Sequence, residues 1–220
     1  MIPESTNFIE SPALSIGGIR AGIKGIIGRK IFFYEIIDST NAAAAAFARE
    51  GEEEGVVVIA DSQSKGRGRL GRSWLSPPSV NIYMSILLKP EMTAKDATLI
   101  TIMAAVGCTI ALRKVTGLDI TIKWPNDLMS SEKKLGGILT ETRVVRKRME
   151  YAITGIGVNV NMDADALPDI MKGVATSIKM ETGKFFSRTD IIREVVNEMD
   201  DWYNILREKR YSELLSQWKH

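Results

Sequence analysis

Cysteine and histidine are nearly missing: the 220-residue chain has one of each, Cys108 and His220. One cysteine excludes an internal disulfide framework and argues against a cysteine-based zinc site. Cys108 lies in an apolar run and reads as a buried thiol of a core helix. With histidine confined to the last position, chemistry falls to Lys, Arg, Asp, Glu, Asn, backbone amides or an oxygen-bound metal. An excess of one charge is missing too. Lys and Arg number 29 against 27 Asp and Glu, a net +2, so no global field directs the chain to nucleic acid or membrane. The longest apolar stretch, Ala97 to Leu112, is broken by Thr98, Thr101, Gly107 and Thr109 and reads as a core helix rather than a membrane span. Met1 to Ser15 lacks the basic start and apolar centre of a signal peptide, so the cytoplasm is the expected compartment.

What is present is an ordinary globular composition, 45% hydrophobic and 25% charged. Residues 1–15 are weakly patterned and expected to fray. Ile16 to Gly28 can hold only a poor helix, because Gly17, Gly18, Gly22, Gly25 and Gly28 interrupt it. Strands are expected at Ile31–Ile37, Val56–Ala60, Asn81–Leu88, Ile120–Trp124, Leu135–Val145 and Tyr151–Val160. Asp38-Ser39-Thr40-Asn41 should cap an alanine-rich helix over Ala42–Glu50, which Gly51 ends. Leu99, Ile102, Met103, Val106 and Ile110 mark a buried helix. Ser187 with Asp190 resembles a capping box opening a long amphipathic helix through Leu206, and the apolar pattern continues through Leu214, Leu215 and Trp218. The sum is an α+β fold: a mixed β-sheet with helices packed on one face.

Three segments carry the chemistry. Lys65 to Arg72 holds three glycines, three arginines and a lysine. Glycines let backbone approach a ligand, successive amides form an anion nest, and arginines add planar donors for carboxylate or phosphate. Trp74 adds a flat face. The spacing is not that of a P-loop. The bland alternative is a disordered Gly/Arg stretch that binds RNA loosely, although such stretches normally repeat. Second, an apolar strand delivers Lys123 to Trp124-Pro125-Asn126-Asp127. A strand-end lysine is usually just solvated; here it can neutralise a carboxylate attacking a phosphate, with Asp127 and Asn126 available to Mg²⁺ or its waters. Third, Gly155 and Gly157 weaken a strand unless something lies close against it, and the residues alone favour a simple bulge.

Together these segments resemble biotin protein ligases. GRGRLGRSW, then KWPNDL followed by KLGGILTE, then GIGVNVN occur in that family's order, with DSTN and Gln63 upstream. The resemblance spans roughly Ile31 to Trp218, and lipoate ligases and octanoyltransferases share the fold without those motifs. It implies the class II synthetase-like catalytic fold of biotin and lipoate ligases, with residues 1–30 as an extension or connector and 31–220 as the catalytic domain. It implies ATP and biotin as substrates with Mg²⁺, and formation of biotinyl-AMP. The biotinyl group would then pass to a lysine on the biotin carboxyl carrier domain of a carboxylase or decarboxylase. On this resemblance Ser39, Thr40, Asn41 and Gln63 bind the ureido ring. Arg67, Gly68 and Arg69 belong to the loop that closes over biotin and its adenylate. Gly136, Gly155 and Gly157 line the floor. Arg72 contacts ATP phosphates, Trp74 stacks on adenine, and Asn126 and Asn159 lie on the nucleotide side. Lys123 contacts biotin's carboxylate and the α-phosphate, making it catalytic with Arg69. Asp127 is the candidate metal ligand.

The chain departs from that family at both ends. About 30 residues precede the first strand, too few for the helix-turn-helix domain of many relatives, so no specific DNA binding is expected. Ile16–Gly28 looks like the connector that follows such a domain. Relatives continue past the segment resembling Leu214–Trp218 into a β-barrel of roughly 50 residues, about the lower limit of a domain; here the chain stops at His220, and truncation or a partner chain would account for that. A homodimer through an exposed sheet edge is expected, and no membrane partner. The rival readings are a biotin or adenylate sensor without transfer, and a lipoate- or octanoate-type transfer enzyme.

Overall fold

The strands are placed by their own burial. The computed structural model describes residues 14–218, so the fraying expected of residues 1–15 falls almost wholly outside it, as does His220. Seven strands form one mixed sheet: β1 (Lys30–Ile37), β2 (Val56–Gln63), β3 (Ile82–Leu88), β4 (Ile120–Lys123), β5 (Asp127–Ser130), β6 (Lys133–Val145) and β7 (Arg148–Val158). Their order across the sheet is β1-β2-β3-β7-β6-β5-β4. β1 runs parallel to β2, and every other neighbouring pair is antiparallel. All seven residues of β3, the third strand from the β1 edge, are buried, which is why Ile82 to Leu88 reads as a run without alternation. β5 is absent from the strands expected of the sequence; only Trp124-Pro125-Asn126 connects β4 to it.

The two faces of the sheet carry different layers. α3 (Ala97–Thr116), α5 (Arg188–Arg207) and α6 (Tyr211–Trp218) cover one face, and the large core between them takes Ile86, Ile156, Met103, Val195 and Leu214. Full burial of such a side chain contributes roughly 1.5–3 kcal/mol. The stretch Ala94–Thr116 is long and apolar enough to cross a membrane, but 61% of its most apolar window is buried inside the fold. α2 (Thr40–Arg49) packs on the opposite face, where Ala44 and Ala48 meet Val58, Leu87 and Ile153. The one-sided helical layer therefore holds for α3, α5 and α6, with α2 on the other side. Alanine is the reason: its small side chains let a helix lie close to the strands over a short, narrow core. At α5, Ser187 caps by accepting from the Asp190 amide, but the reciprocal half of the expected box is missing, because Asp190 pairs with Arg193 instead.

The glycine-rich lead-in, with the short helix α1 (Ile16–Arg20), is stitched to one stripe of α5. Thr189 Oγ1 accepts from the Ser15 amide, and Asn197 accepts from the Lys24 amide and donates to Gly22 O. Asp200 Oδ1 accepts from the amides of Ile26 (2.8 Å) and Ile27 (2.9 Å). A Cβ on Gly25 would lie 1.8 Å from Asp200 Oδ2, so that carboxylate reaches the backbone only because residue 25 has no side chain.

Candidate functional site

Five elements converge on a cleft of about 290 Å³: the start of α2, the end of β2, the first half of β6, the end of β7, and the β4–β5 turn, with the glycine–arginine loop after β2 as its wall. The loop leaves β2 on firm ground. Ser64 and Lys65 donate backbone bonds to Ile37 O and Asp38 O, and their side chains donate to Asp38 at 2.6 and 2.8 Å. The hydrogen bond from Lys65, then that from Ser64, holds the Asp38 carboxyl below its ordinary range. Beyond that hinge the loop is pinned on two sides. Arg67 donates to Glu141 of β6 at 2.9 Å, and Arg69 donates to Asn126 Oδ1 at 3.0 Å. Leu70, at the tip, takes φ 56 and is 88% exposed.

The floor is made by two glycines facing inward from β7. A Cβ on Gly155 would lie 2.1 Å from Asn41 Oδ1, and one on Gly157 would lie 2.6 Å from the Trp74 ring. So close approach, not a bulge, explains them: the β6–β7 register shifts only at Arg143/Val144. The approaching groups are side chains of the chain itself. Trp74 lies over Gly157, with the Lys134 ammonium 5.4 Å from its ring centroid. Its indole Nε1 is buried and makes no hydrogen bond, a donor left over for a ligand acceptor.

The polar end of the cleft is a connected network. Ser39 precedes α2 but makes no capping bond with its side chain. The cap comes from β2: Gln63 Oε1 accepts from the Thr40 amide at 2.9 Å, 23 residues away, and Gln63 Nε2 donates to Ser76 Oγ at 3.0 Å. Local reading assigned that cap to Asp38–Asn41; tertiary contact gave it to Gln63 and left the Ser39 hydroxyl facing the cleft. Asn41 is 4% exposed and bonds Glu141, Leu139 O and Ser85.

Of the expected site residues, Ser39, Thr40, Asn41, Gln63, Arg67, Gly68, Arg69, Arg72, Trp74, Asn126, Asp127, Gly155 and Gly157 all line this cleft. Three do not. Lys123 ends β4 exposed and outside it. Gly136 lies one residue off the lining: a Cβ there would meet Gly157 O at 2.8 Å, so it packs the sheet rather than the floor, and Gly137 takes the lining position. Asn159 is buried and committed, donating to Thr176 O; it borders a second cleft of about 430 Å³ with Lys134, Met162 and Met171. Trp74 stands between the two clefts and borders both.

The residue that reading of the sequence missed is Lys134. It borders both clefts, and its ammonium lies 2.7 Å from Asp127 Oδ1. A signal was available: Lys134 opens KLGGIL, where apolar residues and glycines follow a cation at the start of a strand. Asp127 does not fit a protein-held magnesium ion. Its carboxylate is paired with Lys134, Asn126 is engaged by Arg69 and Ile138, and among the described residues no cluster of three acids, histidines or cysteines exists. Cys108 takes no part. It is buried, and burial pushes its thiol from 9.0 up to about 12.

Over residues 33–159 the chain matches the model of the biotin/lipoate A/B protein ligase family. It is 34% identical over 204 residues to the bifunctional ligase/repressor BirA of Bacillus spizizenii, covering 92% of this chain and 60% of that one. It is 31% identical over 176 residues to the biotin--[acetyl-CoA-carboxylase] ligase of Mycobacterium tuberculosis, covering 76% and 62%. Among solved structures it superposes on the biotin protein ligase from Aquifex aeolicus in complex with biotin and ATP, with a TM-score of 0.69 and 30% identity over 82% of this chain and 73% of that one. The chain thus spans about 60% of the length of the curated relatives it matches.

Proposed function

The chain belongs to the biotin/lipoate A/B protein ligase family, and on that premise we propose that it is an ATP-dependent biotin–protein ligase. It would form biotinyl-AMP and pass the biotinyl group to a lysine of a biotin carboxyl carrier domain, as the names of its relatives suggest. One observation carries the reading. Three loop arginines, Lys134 and the orphan indole of Trp74 line a cleft that also holds the hydroxyls and amides of Ser39, Thr40, Asn41 and Gln63. That is the layout needed by a molecule with a neutral hydrogen-bonding ring at one end and a carboxylate at the other.

The physical task is to bring two anions together, the acid's carboxylate and the α-phosphate. In water they repel, and each is strongly hydrated. Fixed cations offset that repulsion without reorganising during the reaction. Arg69 and Lys134 are assigned that work, with Lys123, exposed at the end of β4 and paired across the β4–β5 ladder with Asp127 of the lining, given a lesser share than the resemblance implies. The carboxylate attacks phosphorus and pyrophosphate leaves. No nucleophile from the chain is required, which suits a cleft without histidine or cysteine. The ring would lie at Thr40 and Gln63, and the nucleotide across Trp74 in the second cleft beside Asn159. Magnesium is assigned to the triphosphate it accompanies and to no protein ligand.

A mixed anhydride is lost if water reaches it, so the loop of Arg67 to Arg72 is assigned a second duty, covering the product until the carrier lysine attacks. The outer edge of β1 and the part of β6 beyond Ile138, which β5 leaves unpaired, offer backbone to a carrier or a second copy. The test is incubation with ATP, Mg²⁺, biotin and a carrier domain, followed by intact-mass measurement. A carrier heavier by one biotinyl group is expected. An unmodified carrier, with no pyrophosphate released on adding biotin, overturns the proposal.

A further inference from the structure

The polar end of the cleft contains a hydrogen-bond chain that is one proton short. Ser85 Oγ lies 2.6 Å from Asn41 Oδ1 and 2.7 Å from Thr40 Oγ1, and Thr40 Oγ1 lies 3.1 Å from Gln63 Oε1. These are three oxygen–oxygen contacts, and each of the two hydroxyls, Ser85 and Thr40, supplies one proton. Both ends of the chain are acceptors. At one end, Gln63 Oε1 is fixed by the Thr40 amide, which can only donate, while Gln63 Nε2 is spent on Ser76. At the other end, an amide side chain could in principle present either atom to Ser85.

Glu141 decides that choice. Its Oε2 lies 2.7 Å from Asn41 Nδ2, and Leu139 O lies 3.3 Å from the same nitrogen. A carboxylate and a carbonyl only accept, so turning the Asn41 amide over would set its oxygen against two acceptors. Asn41 must therefore show oxygen to Ser85, and it is 4% exposed, so no bulk water stands in for a missing partner. Were the amide reversed, its Nδ2 would supply the third donor and the chain would close on itself. As it stands, two hydroxyl protons serve three contacts, so one pair of oxygens in the chain from Asn41 to Gln63 faces without a proton between them.

We infer that Glu141 is a positioning residue that sets the polarity of the cleft, making its polar end a reader of ligand N–H groups through Asn41, Ser85 and Thr40. The inference rests on the proposed function for the identity of the ligand, biotin, whose ring carries two such groups. It adds a cause for the preference: the site rejects an isosteric ring that brings oxygen in place of N–H. Glu141 also accepts from Arg67 with the same oxygen, so the residue that orients the floor is the one that receives the covering loop.

The test compares wild type, Glu141→Leu and Glu141→Gln by calorimetric titration with biotin and with cyclic carbamate analogues in which either ring N–H is replaced by oxygen. Adenylate formation is measured in parallel. Leucine removes the acceptor and frees Asn41 to turn; about tenfold or more weaker biotin binding is expected, from losing the partner that fixes the buried Asn41 amide. The preference for biotin over the carbamates should shrink with it, and in adenylate formation the loss should appear in the KM for biotin. Glutamine can show Asn41 either atom and should fall between. Thermal melting controls for folding, and Glu141 is 41% exposed in its side chain, so both variants have room. If wild type binds biotin and Glu141→Leu keeps both its affinity and its preference, this inference fails alone. If a melted-out leucine variant leaves only the glutamine variant to measure, an unshifted preference there also overturns it. Wild type that binds no biotin overturns the functional reading, and this inference with it.

Discussion

Two glycine-rich stretches of this chain look alike in composition and do opposite things. Residues 15–29 are held along α5 by backbone-reading side chains, with the buried Asp200 carboxylate taking two amides. Residues 64–76 stand over a cleft, hinged at Asp38, and their outer part is held by Arg67 and Arg69, the first through an ion pair 45% and 41% exposed. Buried amides without partners cost about 1–3 kcal/mol each, whereas exposed ion pairs contribute about 0–1 kcal/mol. Glycine therefore permits two outcomes. It admits a buried side chain to the backbone, or it leaves a backbone poised to meet a ligand; which one occurs depends on the polar groups opposite.

If that contrast is right, changes on the cleft side should cost chemistry and changes on the strap should cost stability. The largest effect is expected beneath the loop. Lys134→Ala should lower adenylate formation by about 10²–10³-fold, read as pyrophosphate release, with an unchanged melting temperature. Lys123→Ala, outside the cleft, should stay within a few-fold, and equal losses in both would erase the distinction between the two lysines. Next comes the strap. Asp200→Ala strands the Ile26 and Ile27 amides and should cost about 3 kcal/mol in urea unfolding, leaving biotin affinity per folded molecule unchanged.

Smaller effects sharpen the loop side. Arg69→Ala should change stability by less than about 1 kcal/mol, yet let biotinyl-AMP escape, seen as free adenylate and as labelling of nonspecific lysines. A stability loss matching that of Asp200→Ala would show the loop to be as firmly built as the strap. The smallest effect concerns the core on which both rest. Native Cys108 should resist thiol reagents near neutral pH, because burial holds the thiol protonated, while the urea-unfolded chain reacts. A group whose folded value is raised loses its contribution as pH rises. Stability attributable to Cys108 should be complete below pH 9.0 and decline toward about 12, followed by alkaline unfolding of wild type and Cys108→Ala.

Most of the frame was legible because it follows local rules. Strand runs such as Val56–Ala60, the 3.6-residue repeat of α3 and the serine opening α5 each announce themselves within a few residues. β5 did not, since four residues beside a proline carry too little pattern. The site was legible as a set of motifs but not as an arrangement. Lys123 and Lys134 are both basic residues of strands, and nothing in their neighbours says which one turns into the cleft. That depends on the β5–β6 pairing, which sets Lys134 opposite Met129, and on the Trp74 ring it faces.

By itself the sequence determined the apolar periodicities, the absence of thiol and imidazole chemistry, and the stock of glycines and cations from which a site for anions can be built. Only the tertiary structure decided that Gln63 caps α2, that Asn41 shows oxygen to Ser85, and that Lys134 lines the cleft with the loop arginines. Burial of apolar groups depends on residue type and spacing, so it is written along the chain. A hydrogen bond depends on which partner stands about 3 Å away, and for Gln63 with Thr40, or Glu141 with Asn41, that partner comes from a different element of the fold.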